Sequence, residues 1–154
     1  MRKLKLVSAL ISTTAIAYAA PASAQTGINL VGTVVNLCVL TLSTPGVLQI
    51  ASSGVELGSA QTGGVAAALT VVATGAAPTI TFSAPSLSGP SSSGATTQLA
   101  YASTGGASRA YDTTGYTYAM NRLLDTITIN GRSTNATGFS TGAYTINATA
   151  TCSQ

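Results

Sequence analysis

Asp112 and Asp125 are the residues whose chemistry is easiest to state, because two carboxylates flanking a sugar are the minimum for glycoside hydrolysis. Arg109 and Arg122 lie a few positions away, and pairing with them in solvated loops accounts for both acids without catalysis. The chain has no histidine, the commonest general base and metal ligand. Its two cysteines, Cys38 and Cys152, stand near opposite ends, far from any zinc spacing. No phosphate loop or dinucleotide fingerprint occurs among the many glycines, which read as turns. The expectation is a protein that is not an enzyme and uses no metal or cofactor.

Aromatic residues offer a second chemistry. Tyr101, Tyr111, Tyr116 and Tyr118 lie close together and, with Asn121, could stack on a sugar. Alternation puts Tyr116 and Tyr118 on one face with Met120, which favours core packing for those two. Tyr101 and Tyr111 are left as the candidate ligand surface, beside the loops at 86–97 and 103–115. Asn135-Ala-Thr137 and Asn147-Ala-Thr149 match the glycosylation pattern, a short match that follows from a Thr/Ala/Asn-rich strand surface.

The compartment is written at the start of the chain. Met1-Arg-Lys-Leu-Lys5 is basic, residues 6–20 are apolar, and Ala22-Ser-Ala24 is a small-residue cleavage site, so residues 1–24 read as a signal peptide for Sec export. The apolar run is shorter than the roughly 20 residues a spanning helix needs, so no transmembrane span is expected in the mature chain. Removing 24 of 154 residues leaves 130, the size of one domain, 25–154.

Cleavage also changes the charge. Arg2, Lys3 and Lys5 leave with the signal, so Arg109, Arg122 and Arg132 face Glu56, Asp112 and Asp125 at zero net charge. Clustered basic residues for nucleic acid are absent. The surface must be built of Thr, Ser, Asn, Gln, Gly and Ala, and such weak self-repulsion suits packing against copies of the same chain. In an oxidising compartment Cys38 and Cys152 are expected to bridge within the chain, with intermolecular bridges or reactive thiols as the alternatives.

Period-2 patterning supplies the frame that positions these residues. Residues 27–42 form an extended, uncharged run, apolar on both faces, which must be covered or shared with another chain. Residues 65–73 mix alanine with valine and threonine at strand length, and Ile80 and Phe82 alternate inward between outward threonines. Residues 121–124 suit one helical turn, and Asn130-Gly131 reads as a turn dipeptide ahead of a last strand through Tyr144, Ile146 and Ala148. About 7–9 short strands with no amphipathic helix beyond the signal mean an all-β antiparallel sandwich or barrel.

Several of these pieces stand together as a pattern: Gly32-Thr-Val-Val35 leading to Cys38, Leu99-x-Tyr101 followed by Arg109, Gly131-Arg132, and Gly142-x-Tyr144 before a threonine-alternating strand. Over most of the mature chain this resembles bacterial secreted sandwiches of the spore coat protein U type and chaperone–usher pilin-like domains. The resemblance implies an immunoglobulin-like β-sandwich, exported to the periplasm or cell surface, that joins copies of itself or other fibre subunits with a periplasmic chaperone and usher. In that assembly an apolar segment of one subunit supplies the missing strand of the next. The candidate assembly strand here carries Ile28, Leu30 and Val34 around the small Gly32.

Two readings of function follow. One is a secreted structural or adhesive surface protein, fimbria-like or coat-like. The other is a monomeric secreted module that binds carbohydrate or protein through Tyr101 and Tyr111.

Overall fold

The computed structural model describes residues 29–154. The expected signal peptide at 1–24 and Ile28 lie outside the described residues. Thr33–Gln154 forms one compact unit, and residues 29–32 belong to a separate one.

Twelve strands run through the compact unit, and the described residues contain no helix. They are β1 (Leu37–Thr44), β2 (Gln49–Ile50), β3 (Glu56–Gly58), β4 (Ala67–Thr74), β5 (Thr79–Phe82), β6 (Ser86–Ser88), β7 (Thr96–Ser103), β8 (Ser108–Asp112), β9 (Tyr116–Ala119), β10 (Leu124–Thr134), β11 (Thr145–Asn147) and β12 (Ala150–Ser153). All their pairings are antiparallel.

The long strand β10 organises the first sheet. One edge pairs with β7, which continues to β8; the other pairs first with β4, which continues to β1, and then with β3, which continues to β2. The second layer is β12-β5-β9, extended by the ribbon β11-β6. Ile146↔Leu87 and Cys152↔Ile80 differ by one residue in register, so β11–β12 and β5–β6 are two strands interrupted by a shared irregularity. At the break Ser83 N–H donates to Thr149 O at 2.9 Å, and Thr149 N–H donates to Ser83 Oγ at 2.9 Å. Such interruptions raise the strand number above the expected 7–9.

The two layers close on Leu69, Val71, Leu99, Tyr101 and Ile127 from the first sheet and Ile80, Phe82 and Met120 from the second. Burying each large side chain contributes about 1.5–3 kcal/mol. The rings of Phe82 and Tyr101 stack at 4.3 Å, and Tyr116 follows Tyr101 at 5.9 Å. The result is an antiparallel β-sandwich.

Several expectations are corrected. The first strand starts at Leu37, so Leu30, Gly32 and Val34 precede it instead of forming part of it. Residues 121–123 are a bend instead of a helical turn. The loops at 86–97 and 103–115 contain β6 and β8. Asn130-Gly131 lies inside β10, and the glycine answers to packing: a Cβ there would stand 3.1 Å from Ile146 Cδ1 and 3.3 Å from Leu99 Cδ2.

Candidate functional site

The sandwich has two sides where its layers must be joined, and they are built differently. On one side the chain passes directly from β8 to β9, and Arg109 ties the turn. Its guanidinium donates to Gly115 O, to Asp112 Oδ2 and to Thr114 Oγ1, each at 2.6 Å, and lies 5.1 Å from the Tyr116 ring centroid. Thr114 N–H, Arg109 and the Thr114 hydroxyl together hold the Asp112 carboxyl down to about 2.

On the other side the free edges are β1 and β12, and a disulfide between Cys38 and Cys152 joins them with Cα atoms 6.2 Å apart. From that bridge β1 runs towards Leu42 while β12, traced backwards, runs through Ala150 and Ala148 to Ile146. Between these diverging segments opens a groove of about 490 Å³. It is lined by Leu42, Leu48, Leu69, Leu99, Tyr101, Ile129 and Gly131 together with Phe82, Ile146, Ala148 and Ala150.

Leu42 shows that this groove is an opening in the core. It pairs with Leu69, so both side chains leave their strands on the same face, and Leu69 is buried. Leu42 is nonetheless 58% exposed. Among the described residues this inward-facing leucine has no covering element, although Cys38 and Leu40, four and two residues earlier, pack against the core.

The candidate assembly residues Leu30 and Val34 are exposed. Tyr101, expected on a ligand surface, is 4% exposed and stacked within the core, because alternation along β7 places it inward with Leu99. Its hydroxyl and that of Tyr118 are buried with no hydrogen-bond partner among the described residues, and burial pushes both phenols up to about 12. Tyr111 lies apart from them under the Arg132 guanidinium, 4.3 Å from its ring centroid.

Asp112 and Asp125 are not gathered at one site. Asp112 pairs with Arg109, as expected of a loop acid. Asp125, expected to be solvated, is 2% exposed and accepts hydrogen bonds from the Ser103 hydroxyl, from Thr104 Oγ1 at 2.6 Å and from Gly105 N–H at 3.1 Å. Burial alone would raise its pKa, but these donors outweigh it and the carboxyl titrates below its usual range.

Asn135 is buried, and its Nδ2 donates to Ser91 O at 2.9 Å, whereas Asn147 is exposed on β11. Gly138-Phe-Ser-Thr-Gly142 has the spelling of a nucleophile elbow, but Ser140 stands between two strands with no helix following. Its Oγ meets Ser91 Oγ at 3.0 Å.

The groove residues Leu42, Ile129, Gly131 and Ile146 were not candidates from sequence. Their signal is alternation, which marks them as inward without saying that nothing covers them. Comparison with family models, with curated proteins and with solved structures finds no match to this chain.

Proposed function

We propose that this chain is a secreted bacterial surface protein, a structural or adhesive subunit of a fimbria-like or coat-like assembly. The observation that carries the reading is the exposed core leucine Leu42, beside a groove that no described element fills between β1 and β11. A groove lined by leucine, isoleucine, alanine and aromatic rings is matched by an extended apolar segment, which can also pair with the free strand edges.

Residues 25–37 of another copy are such a segment, with Ile28, Leu30 and Val34 as plugs around Gly32. Two further features favour packing between copies. The mature surface has few charges, and Val39, Val72 and Leu124 form an exposed apolar row across β1, β4 and β10. A Sec-exported chain with an open groove would need a periplasmic chaperone to shield it and an usher to pass it on. The disulfide and the absence of a membrane-crossing helix among the described residues are compatible with that route. The reading assigns no enzymatic step.

Sedimentation of the mature protein across a concentration series tests it, with a peptide of residues 25–37 as competitor. Polymers that grow with concentration, shorten with the peptide and vanish in Leu42→Asp are expected. A protein that stays monomeric alone and does not bind the peptide would overturn the assembly reading.

A further inference from the structure

Asn130-Gly131 is the chain's sole Asn-Gly dipeptide, and the fold uses it as strand instead of turn. Its chemistry is a liability wherever the backbone is free. The Gly131 nitrogen, once it loses its proton to hydroxide, can attack Asn130 Cγ; a nitrogen–carbon bond forms and ammonia leaves with Nδ2. Water then opens the cyclic imide to aspartate or isoaspartate at position 130. Glycine makes this the fastest of such steps, because no side chain hinders the approach.

The dipeptide falls where β10 changes partners. On one edge β10 pairs with β4 as far as Ile129↔Ala67, and with β3 only from Arg132↔Gly58. Asn130 and Gly131 lie in the gap between, and Ser59, the residue after β3, fills it. Its N–H donates to Gly131 O at 2.8 Å, its Oγ accepts from Gly131 N–H at 3.0 Å, and its hydroxyl donates to Asn130 Oδ1 at 3.1 Å. One buried serine thus holds both groups that would react, the nitrogen that attacks and the amide that is attacked.

Donation to Oδ1 alone would polarise the Cγ carbonyl and favour the attack, but the geometry opposes it. In an extended strand the Asn130 side chain points away from the next peptide nitrogen. Bringing Cγ onto Gly131 N means turning the backbone at Asn130, which breaks its pairing with Ala100 and the bonds to Ser59 together. The Gly131 N–H is buried, and Ser59 Oγ is the acceptor it has where neither neighbouring strand supplies one on that edge. Inward movement is closed off as well, since Ile146 Cδ1 and Leu99 Cδ2 lie 3.1 and 3.3 Å from where a Gly131 Cβ would stand.

We propose that Asn130-Gly131 is a latent deamidation site that Ser59 keeps closed, so that the amide is lost only from chains in which the segment after β3 has left β10. Such chains do not return to the fold unchanged. Aspartate puts a charge at a half-buried strand position, and isoaspartate inserts a backbone atom between the β4-paired and β3-paired parts of β10. None of this depends on what the groove receives.

Peptide mapping by mass spectrometry after incubation in mildly alkaline buffer tests it, with the exposed Asn121 as internal standard. In urea Asn130 should deamidate well ahead of Asn121, and in the folded parent it should fall behind. Ser59→Ala should raise the folded rate at Asn130 about tenfold and leave Asn121 unchanged. Where Ser59→Ala does not fold, amide hydrogen exchange of the parent decides, and the Gly131 N–H should be protected as well as that of the buried Ile127. A rate at Asn130 equal in folded and unfolded parent, a folded Ser59→Ala no faster than the parent, or a fast-exchanging Gly131 N–H would overturn the proposal.

Discussion

Cys38 and Cys152 join the free edges of the two layers at one end of the groove, with Cα atoms 6.2 Å apart, and beyond Leu42 and Ala150 those edges are no longer held. The bridge therefore stabilises the fold and also sets where the groove begins. Any segment received in the groove must lie on the Leu42 side, so a partner strand spans only part of the β1–β12 side.

Reduction should destabilise the domain. The bridged residues are 114 apart, and closing a loop of that length in the unfolded chain corresponds to about 4–5 kcal/mol in the chain-entropy description. Urea unfolding with and without reductant, and of Cys152→Ser, measures the difference. A change below about 1 kcal/mol would mean that packing of β1 against β12 already holds the edges together.

Gly131→Ala should cost about 1–3 kcal/mol by overpacking. The added methyl would face Ile146 Cδ1 at 3.1 Å and Leu99 Cδ2 at 3.3 Å, and Ile146 belongs to the wall of the groove. Because that wall has open space beside it, the outcome also reports how freely β11 can move. Thermal melts of the variant check it, and an unchanged midpoint would show that Ile146 swings aside without strain.

That glycine also shows which parts of the fold are legible in the sequence. Alternation is local, so Ile80 and Phe82 in β5 and the valine-rich β4 were readable one strand at a time. Strand β8 was not, because Ser-Arg-Ala-Tyr-Asp has no apolar alternation and is a strand through its pairing with β7. Asn130-Gly131 satisfies a turn rule, and a contact from a strand fifteen residues later decides otherwise. The site follows the same logic. Each groove residue reads as inward, but a missing cover is a property of two edges far apart in sequence, Leu42 and Ile146.

The buried phenols should make the protein labile in alkali. Tyr101 and Tyr118 are neutral in the fold up to about 12, while in the unfolded chain they ionise near 10, so between those values the unfolded state binds fewer protons. Their contribution is complete below pH 10 and is lost as pH rises towards 12. Absorbance titration at the phenolate band should show Tyr101 and Tyr118 staying protonated above pH 10 until the fold opens. Ionisation of Tyr101 and Tyr118 near 10 in a still-folded protein would contradict their burial.

Asp125 should act in the opposite pH range. Its carboxylate is buried and accepts from the Ser103 and Thr104 hydroxyls and the Gly105 N–H, fastening the β7–β8 turn to the start of β10. Asp125→Asn places an amide N–H₂ among those donors. The hydroxyls can rotate but the Gly105 N–H cannot, so a loss of about 1–3 kcal/mol is expected at neutral pH. The folded pKa lies below the unfolded value near 4, so the wild-type advantage is complete above about pH 4 and shrinks as pH falls through the folded value. Urea midpoints of the two proteins should therefore converge on acidification, and a gap independent of pH would assign the effect to shape instead of charge.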